Sequence, residues 1–360
     1  MKYFSTFSGA GGFDLGVPES WECVGMSEID KHANMVLKYR FRGVKNYGDI
    51  EKINYEELPD FDVLIGGSPC QDISVAGKRA GLAGLRSRLF FSYAALLNVK
   101  KPEYFIFENV KGLLSSNEGR DLAEVVNSFS EAGYDVWWQV LSATDVGIPQ
   151  HRERIFIFGA LRGTGIREVF LKPENKGKDT ELQGQEGYTI TKRYYAGQSN
   201  GAYIIENSRK AQIENLYFDR RQINRIYGVN GVAPTLHRDT GGRQVVKILA
   251  SRGRMNNGRW VQKMEERSDG KANALTSVQK DNIVSVDSKI RYLTPLECER
   301  LMGWPDGWTQ YGIDEKGNTV EISDNQRYNM IGNGVVPQVV RAVISQLIPE
   351  ETDWVKEAVN

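Results

Sequence analysis

Short apolar runs alternate with longer helix-like stretches through residues 1–160 of this chain. The runs are typical of buried strands, and they are Lys2–Phe7, Trp21–Met26, Val63–Gly66, Tyr104–Phe107, Val136–Leu141 and Arg154–Gly159. The stretches between them include helix candidates at Lys31–Phe41, Arg88–Val99 and Arg120–Ala132. Strand and helix in alternation predict an α/β fold with a parallel sheet covered on both faces, in which ligands lie at the carboxyl ends of the strands.

The composition changes after this region. Residues 161–288 are rich in Gly, Asn, Gln, Arg and Lys, and they contain only short strand-like runs such as Gln244–Leu249 and Asn282–Val286. We therefore predict a main domain at residues 1–160, a smaller irregular domain at 161–288 and a C-terminal segment at 289–360.

Helical signals return in the C-terminal segment. Thr294 is a predicted N-cap, followed by Pro295 at the first helical position. Glu297 would complete a capping box, and Gly303 is expected to end this helix. A last helix is predicted over Pro337–Leu347, where apolar side chains recur on one stripe. We expect the helices of this segment to pack back onto the main domain.

Charge and cysteine content limit the class of protein. The 46 basic and 46 acidic side chains cancel, so net charge alone does not indicate a nucleic-acid binder. Basic residues are concentrated between Arg238 and Arg259, where Asp239 is the single acid. The cysteines lie far apart and match no metal-ligand pattern, so we expect no disulfide framework, no metal and a reducing cytoplasm. We see neither a signal peptide nor an apolar run long enough to span a bilayer.

A glycine-rich turn follows the first predicted strand. The segment Phe7–Phe13 reads Phe-Ser-Gly-Ala-Gly-Gly-Phe, and glycines let a backbone turn tightly and approach a ligand closely. Glu28, at the end of the second strand, is placed to accept hydrogen bonds from ribose hydroxyls. Asp49 and Ile50 follow the next run and are placed to flank an adenine ring. Together these elements predict an adenosine-containing cofactor and leave NAD and S-adenosylmethionine both open.

The segment Ile65–Gln71 contains the most informative cysteine. It reads Ile-Gly-Gly-Ser-Pro-Cys-Gln, and it puts Cys70 at the end of a strand, where an ionised thiol can act as a nucleophile. Further motifs follow in order: Glu108-Asn-Val110, Gln150-His-Arg-Glu-Arg154, Arg291–Pro305 and Tyr328–Val335, the last of which is expected to open the final helix. With the glycine turn, these segments resemble the signature of the DNA cytosine-5 methyltransferases of bacterial or phage type, over residues 1–160 and 289–348.

The resemblance implies a fold and a reaction. The fold is a Rossmann-like methyltransferase sheet that binds S-adenosylmethionine, with residues 161–288 as a target-recognition domain. The reaction is methyl transfer to carbon 5 of a cytosine flipped out of a specific double-stranded DNA sequence, through a covalent bond between Cys70 and carbon 6. Glu108 matches the family acid that acts at ring N3. Arg152 is expected to hydrogen-bond the cytosine carbonyl and to lower the thiol pKa, and Arg154 to position Glu108.

The resemblance also implies binding residues and partners. The expected cofactor residues are Phe7, Ser8, Gly9, Ala10, Gly11, Gly12, Glu28, Ile29, Asp49, Ile50, Pro69, Asn333 and Val335. The expected DNA contacts are Gln71, Ser74, Lys78, Arg79, Arg86, Thr235 and Leu236. Ala274-Leu275 competes with Thr235-Leu236 as the equivalent of a Thr-Leu pair in the family. We expect a monomer that binds duplex DNA, with any cognate restriction endonuclease linked to it genetically rather than physically.

Three other functions are compatible with parts of this sequence. A cytosine-5 methyltransferase acting on transfer RNA shares the cysteine loop, but it commonly has a Cys-Phe-Thr tripeptide that is absent from this chain. A catalytically silent DNA-binding relative is disfavoured by the presence of Cys70, Glu108 and Arg152. A nicotinamide-dependent dehydrogenase accounts for the glycine turn but not for the cysteine loop.

Overall fold

The computed structural model of the protein describes residues 1–69, 87–164, 188–190, 246–256, 259–267, 271–286 and 289–348. The strands within these ranges are β1 Lys2–Thr6, β2 Glu22–Ser27, β3 Val63–Gly66, β4 Tyr104–Val110, β5 Tyr134–Ser142, β6 Gln150–His151, β7 Glu153–Leu161, β8 Tyr188–Ile190, β9 Val246–Asn256, β10 Arg259–Glu266, β11 Ala272–Asn273, β12 Asn282–Val286, β13 Lys289–Tyr292, β14 Tyr311–Ile313 and β15 Thr319–Glu321. The helices are α1 Lys31–Arg40, α2 Ser87–Lys100, α3 Arg120–Glu131, α4 Pro295–Leu301, α5 Asp324–Asn333 and α6 Pro337–Leu347. Every strand and helix predicted for residues 1–160 is confirmed within a few residues at its ends.

The central sheet is mixed rather than wholly parallel. Its order over the described residues is β2-β1-β3-β4-β7-β5-β8, and β2, β1, β3 and β4 run parallel. Strand β7 runs antiparallel to both β4 and β5, which corrects the expectation of a parallel sheet. The physical reason is the short connection from β5 to β7, residues 143–152, which is too short for a helical crossover. The α/β, Rossmann-like class is nevertheless confirmed.

Alternate residues of the central strands enter two separate cores. Leu64 and Phe105 belong to the core that contains side chains of α2 and α3, whereas Ile65 and Ile106 belong to the core that contains side chains of α1 and α6. Because successive side chains of a strand point to opposite faces, this division means that helices cover both faces of the sheet. The predicted covering is thus confirmed.

Three strands of the second segment and β13, the first strand of the C-terminal segment, form a separate small sheet. Its order is β10-β9-β12-β13, with antiparallel pairing throughout. Strand β11 pairs with β6 of the main domain, and β8 pairs with β5, so the second segment also contacts the central part of the fold. The proposed boundaries at residues 160 and 288 stay a prediction.

The C-terminal helices show the predicted caps. The side chain of Thr294 accepts a hydrogen bond from the amide of Glu297, and the Glu297 carboxylate accepts one from the amide of Thr294, which is a complete capping box. Gly303 follows the end of this helix with a φ of 69°. The motif Tyr328–Val335 was expected to open the last helix, and this expectation is wrong. The motif lies mainly on the separate helix α5. Helix α6 then packs against the turn after the glycine motif, with Val340 fully buried.

Candidate active site

A cavity of about 500 Å³ opens at the carboxyl ends of β1 to β4. One wall is the glycine turn, another is the end of β2, and a third is the end of helix α5. All the predicted cofactor residues except Gly11 line it: Phe7, Ser8, Gly9, Ala10, Gly12, Glu28, Ile29, Asp49, Ile50, Pro69, Asn333 and Val335. Glu108, Arg152 and Arg154 line the same cavity, so these three predicted catalytic residues share one space with the predicted cofactor residues.

The glycine turn has an unusual backbone. Phe7 adopts a φ of 51°, a left-handed conformation that is costly for a residue with a side chain. Such strain persists only where neighbouring bonds hold it. The hydroxyl of Ser8 is within hydrogen-bonding distance of the carbonyl and the hydroxyl of Ser5, at 3.1 and 3.0 Å. The amide of Ser8 also donates to the carbonyl of Ser27 on β2.

Glu28 connects the end of β2 to the glycine turn. Its Oε2 accepts the amide of Gly9 at 2.7 Å, and its Oε1 accepts the amides of Ile29 and Asp30 at 2.8 and 2.7 Å. Burial raises the pKa of this carboxyl, and the three amide bonds oppose that rise. Three of about four acceptor positions of the carboxylate are therefore occupied by main-chain donors.

Asn46 supports Glu28 and was not found from the sequence. Its side-chain oxygen accepts the amides of Glu28 and Gly48 at 3.0 Å, and its side-chain nitrogen donates to the carbonyl of Glu28 at 2.9 Å. This double contact fixes the backbone that carries the Glu28 carboxylate. A single Asn in a loop gives no signal in the sequence, because only the fold brings it beside the end of β2.

The remaining predicted cofactor residues occupy the rim and the floor of the cavity. Ile29 is 72% exposed beside Glu28, whereas Ile50 is buried. The side chain of Asp49 accepts the amide of Glu51. Asn333 donates from its side chain to Asn329 within helix α5.

Glu108 and Arg154 form an ion pair in the cavity. Their closest atoms, Glu108 Oε1 and Arg154 Nε, are 3.0 Å apart, and 15% of the Glu108 side chain is exposed. The two residues lie nearly opposite each other on the adjacent strands β4 and β7. Burial raises the pKa of Glu108, while the charges of Arg154 and Arg152 oppose that rise. The result is a carboxyl group that holds its proton to higher pH than usual, facing an open space.

Arg152 has a different environment from the one expected. Only 3% of the residue is exposed, and its guanidinium donates to the main-chain carbonyls of Leu275, Gly332 and Gly334 at 3.4, 3.1 and 2.5 Å. The base contact predicted for Arg152 stays a prediction, and the ion pair of Arg154 is compatible with its predicted role of positioning Glu108. Arg152 bridges three chain segments, while Arg154 is the arginine that faces the acid.

Gln150 and Leu275 bring the second segment to the site. The side chain of Gln150 donates to the carbonyl of Leu301 at 2.8 Å and accepts the amide of Leu275 at 3.4 Å. Leu275, of the pair Ala274-Leu275, thus contacts Gln150 and also Arg152, which lines the cavity. The choice between this pair and Thr235-Leu236 stays open. Thr235 and Leu236 lie outside the described residues, as do Cys70, Gln71, Ser74, Lys78, Arg79 and Arg86. Pro69, which precedes Cys70, lines the cavity.

Two kinds of feature are absent from the described ranges. No helix there is both long enough and apolar enough to cross a membrane. No cluster of three or more His, Cys, Asp or Glu side chains there is arranged to hold a metal ion.

Comparisons with known proteins identify a family. A family model described as C-5 cytosine-specific DNA methylase matches residues 1–349. The type II methyltransferase M.HhaI of Haemophilus parahaemolyticus is 32% identical, over 95% of this chain and 93% of that protein. The orphan methyltransferase M.SPRI of Bacillus phage SPR is 28% identical, over 97% of each chain.

The solved structures give the same fold. A crystal structure of the S. pombe Dnmt2 methyltransferase covers 97% of this chain and 99% of its own, with a TM-score of 0.57 and 16% identity. A putative DNA modification methyltransferase from an E. coli prophage covers 97% of this chain and 99% of its own, with a TM-score of 0.56 and 18% identity. The family match covers nearly the whole chain, so this protein belongs to the C-5 cytosine-specific DNA methylase family and is a DNA cytosine-5 methyltransferase.

Proposed function

We propose that this enzyme transfers a methyl group from S-adenosylmethionine to carbon 5 of a flipped-out cytosine in a specific double-stranded DNA sequence, through a covalent bond between Cys70 and carbon 6. The observation that carries the proposal is the shared cavity. It joins the glycine turn and Glu28 to the Glu108–Arg154 pair, and Pro69, the residue before Cys70, lies on its edge.

The cavity lining suits S-adenosylmethionine. Ile29 and Ile50 offer apolar surface for an adenine ring, and the remaining acceptor position of Glu28 suits a ribose hydroxyl. The main-chain groups of the glycine turn and of Asn333–Val335 form the other walls. When bound, S-adenosylmethionine supplies an electrophilic methyl group.

Glu108 is the proposed acid. Its raised pKa favours the protonated form, which can donate to ring N3 of cytosine, and its other oxygen can accept from the exocyclic amine. The protonated form is present below that pKa and is lost as the pH rises through it. Arg154 holds the carboxyl in place, and its remaining donor capacity suits the cytosine carbonyl oxygen.

Cys70 is the proposed nucleophile. Its thiolate forms a bond to carbon 6, the electron pair of the ring double bond makes carbon 5 nucleophilic, and N3 takes up the proton from Glu108. After carbon 5 has accepted the methyl group, with S-adenosylhomocysteine as the leaving group, a base or water removes the proton from carbon 5. Cleavage of the carbon–sulfur bond then restores the ring double bond and releases the thiolate, and N3 returns its proton to Glu108.

The DNA contacts are proposals of the same kind. A target base inside a duplex is out of reach, so the cytosine must leave the stack. Lys78, Arg79 and Arg86 are proposed phosphate contacts, with Gln71 and Ser74 nearer the base. Residues 161–288, with Thr235 and Leu236, are the proposed sequence reader. We propose that the enzyme acts as a monomer, and that any restriction endonuclease is a genetic partner only.

The test begins with the DNA product. Bisulfite sequencing of a plasmid treated with the enzyme should show protected cytosines in one sequence context, and transfer RNA should remain unmodified. Protection absent from DNA but present in transfer RNA would overturn the choice of substrate.

Trapping then tests the nucleophile. A duplex with 5-fluorocytosine at the target position should form a covalent adduct with the wild type and not with Cys70→Ser. Cys70→Ser should also lose turnover while its affinity for S-adenosylmethionine, measured by calorimetry, stays within about twofold. Cys23→Ser is the matched control, because Cys23 lies on β2, where its sulfur is 3.6 Å from the carbonyl of Gly25. Near-normal turnover in Cys70→Ser would reject the covalent step.

A further inference from the structure

Three aromatic rings pack against the outer side of the glycine turn. We call Phe41, Trp304 and Trp308 the aromatic collar. A Cβ atom at Gly11 would lie 2.6 Å from the ring of Phe41, and one at Gly12 would lie 2.8 Å from the ring of Trp304. The rings therefore contact the backbone of the turn where the chain has no side chain, and none of the three lines the cavity.

The two indoles of the collar also bond to the cavity walls. Trp308 Nε1 donates to the carbonyl of Ala10 at 2.7 Å, and Trp304 Nε1 donates to the carbonyl of Val335 at 2.9 Å. Ala10 and Val335 line the cavity on different walls. The turn that carries both indoles thus holds the two walls in place.

Arg40 fixes Trp308 in this position. Its guanidinium lies 4.6 Å from the centre of the Trp308 ring, and it donates to the carbonyls of Trp308 and Gly307 at 2.9 and 2.6 Å. The buried carboxylate of Glu299 accepts the amides of Gly307 and Thr309 at 2.8 Å each. The indole is consequently anchored from helix α1 and from helix α4.

We propose that Trp308 is a positioning residue for cofactor binding, because its indole N–H holds Ala10 and the strained turn in the binding-ready shape before the cofactor arrives. This inference rests on the proposed use of S-adenosylmethionine. The turn contains Phe7 in a left-handed conformation, and such a backbone relaxes when its supports are removed. A relaxed turn must be ordered again on binding, which weakens affinity without changing the chemical step.

The test compares two Trp→Phe variants. Trp308→Phe keeps an aromatic ring and removes the N–H bond to Ala10. Trp137→Phe is the matched control, because Trp137 is also buried, but its indole N–H has no hydrogen-bond partner among the described residues. Calorimetry gives the Kd for S-adenosylmethionine, steady-state kinetics gives kcat and both KM values, and thermal unfolding gives Tm.

We expect Trp308→Phe to raise the Kd and the KM for S-adenosylmethionine about three- to tenfold. Its kcat at saturating cofactor and its KM for DNA should stay within about twofold, and Trp137→Phe should match the wild type. Arg40→Lys should shift cofactor affinity in the same direction, since one ammonium group cannot replace the forked contacts to Gly307 and Trp308.

Two results separate this inference from the proposed function. Unchanged cofactor affinity in Trp308→Phe and Arg40→Lys, with a wild type that binds S-adenosylmethionine, would overturn the role of Trp308 alone. A lower Tm without any change in Kd would likewise show that Trp308 contributes only to packing and stability. A wild type that does not bind S-adenosylmethionine would overturn the proposed function and this inference together.

Discussion

Three carboxyl groups that lie wholly or partly out of solvent differ in the partners that offset their desolvation. Glu28 accepts three main-chain amides, and Glu108 faces Arg154. Asp14 is buried with only the hydroxyls of Ser5 and Tyr3 and its own backbone as partners, and its Oδ1 has none within the described part of the chain. Glu28 and Glu108 were predictable, because strand ends and motif spacing mark them. Asp14 was not, because it is buried only by packing around the turn.

Asp14 makes stability depend on pH. Burial raises its pKa from 3.8 to about 6. Folding thus favours the protonated form, and this contribution is complete below about pH 4 and is lost as the pH rises through about 6. At about 1.4 kcal/mol for each pH unit between the two values, the loss is roughly 3 kcal/mol.

The measurement is urea unfolding from pH 4 to pH 7. Asp14→Asn cannot ionise, so the free energy of unfolding of the wild type should fall more steeply than that of Asp14→Asn across this range. Glu131→Gln, at an exposed acid of helix α3, should follow the wild type. Parallel curves for wild type and Asp14→Asn would show that Asp14 does not titrate in this range.

At the scale of elements, features encoded in short stretches of sequence were predicted better than the pairing of strands. The capping box of α4 and the stripe of α6 are encoded within a few residues, and both elements form where expected. The direction of β7 was missed because it depends on which strand it joins and on the length of the loop before it. The contact of β11 with β6 was missed for the same reason, since it joins residues more than a hundred positions apart.

Two N-caps provide a matched comparison at this scale. Thr294 forms the capping box of α4, whereas Ser323, the N-cap of α5, makes no side-chain capping bond. We expect Thr294→Ala to lower the free energy of unfolding by about 1 kcal/mol, and Ser323→Ala to change it by much less. Denaturant unfolding of both variants checks this, and equal effects would contradict the assigned caps.

At the scale of the whole molecule, Arg152 joins segments that are distant in sequence. It bonds to Leu275 from the second segment and to Gly332 and Gly334 from the third. No sequence pattern predicted this role, because the motif containing Arg152 suggested a contact with the base. A buried arginine surrounded by carbonyls is recognisable only after the segments have been brought together.

Arg152 should therefore matter for stability as well as for activity. Arg152→Met keeps an unbranched stem but removes the guanidinium and leaves three carbonyls without this donor, so we expect a loss of roughly 3 kcal/mol in the free energy of unfolding. Arg120→Met, which removes an exposed pair with Glu118, should change it by less than about 0.5 kcal/mol. A loss below about 1 kcal/mol in Arg152→Met would reject the bridging role.

The wall contributed by Asn333–Val335 has a consequence for synthesis on the ribosome. Phe7 to Gly12 leave the exit tunnel early, but the opposite side of their cavity is translated more than 300 positions later. A nascent chain halted before that point lacks the Asn333–Val335 wall of this cavity, even when its central sheet has already folded. We therefore expect incomplete copies to lack the proposed capacity to bind the methyl donor.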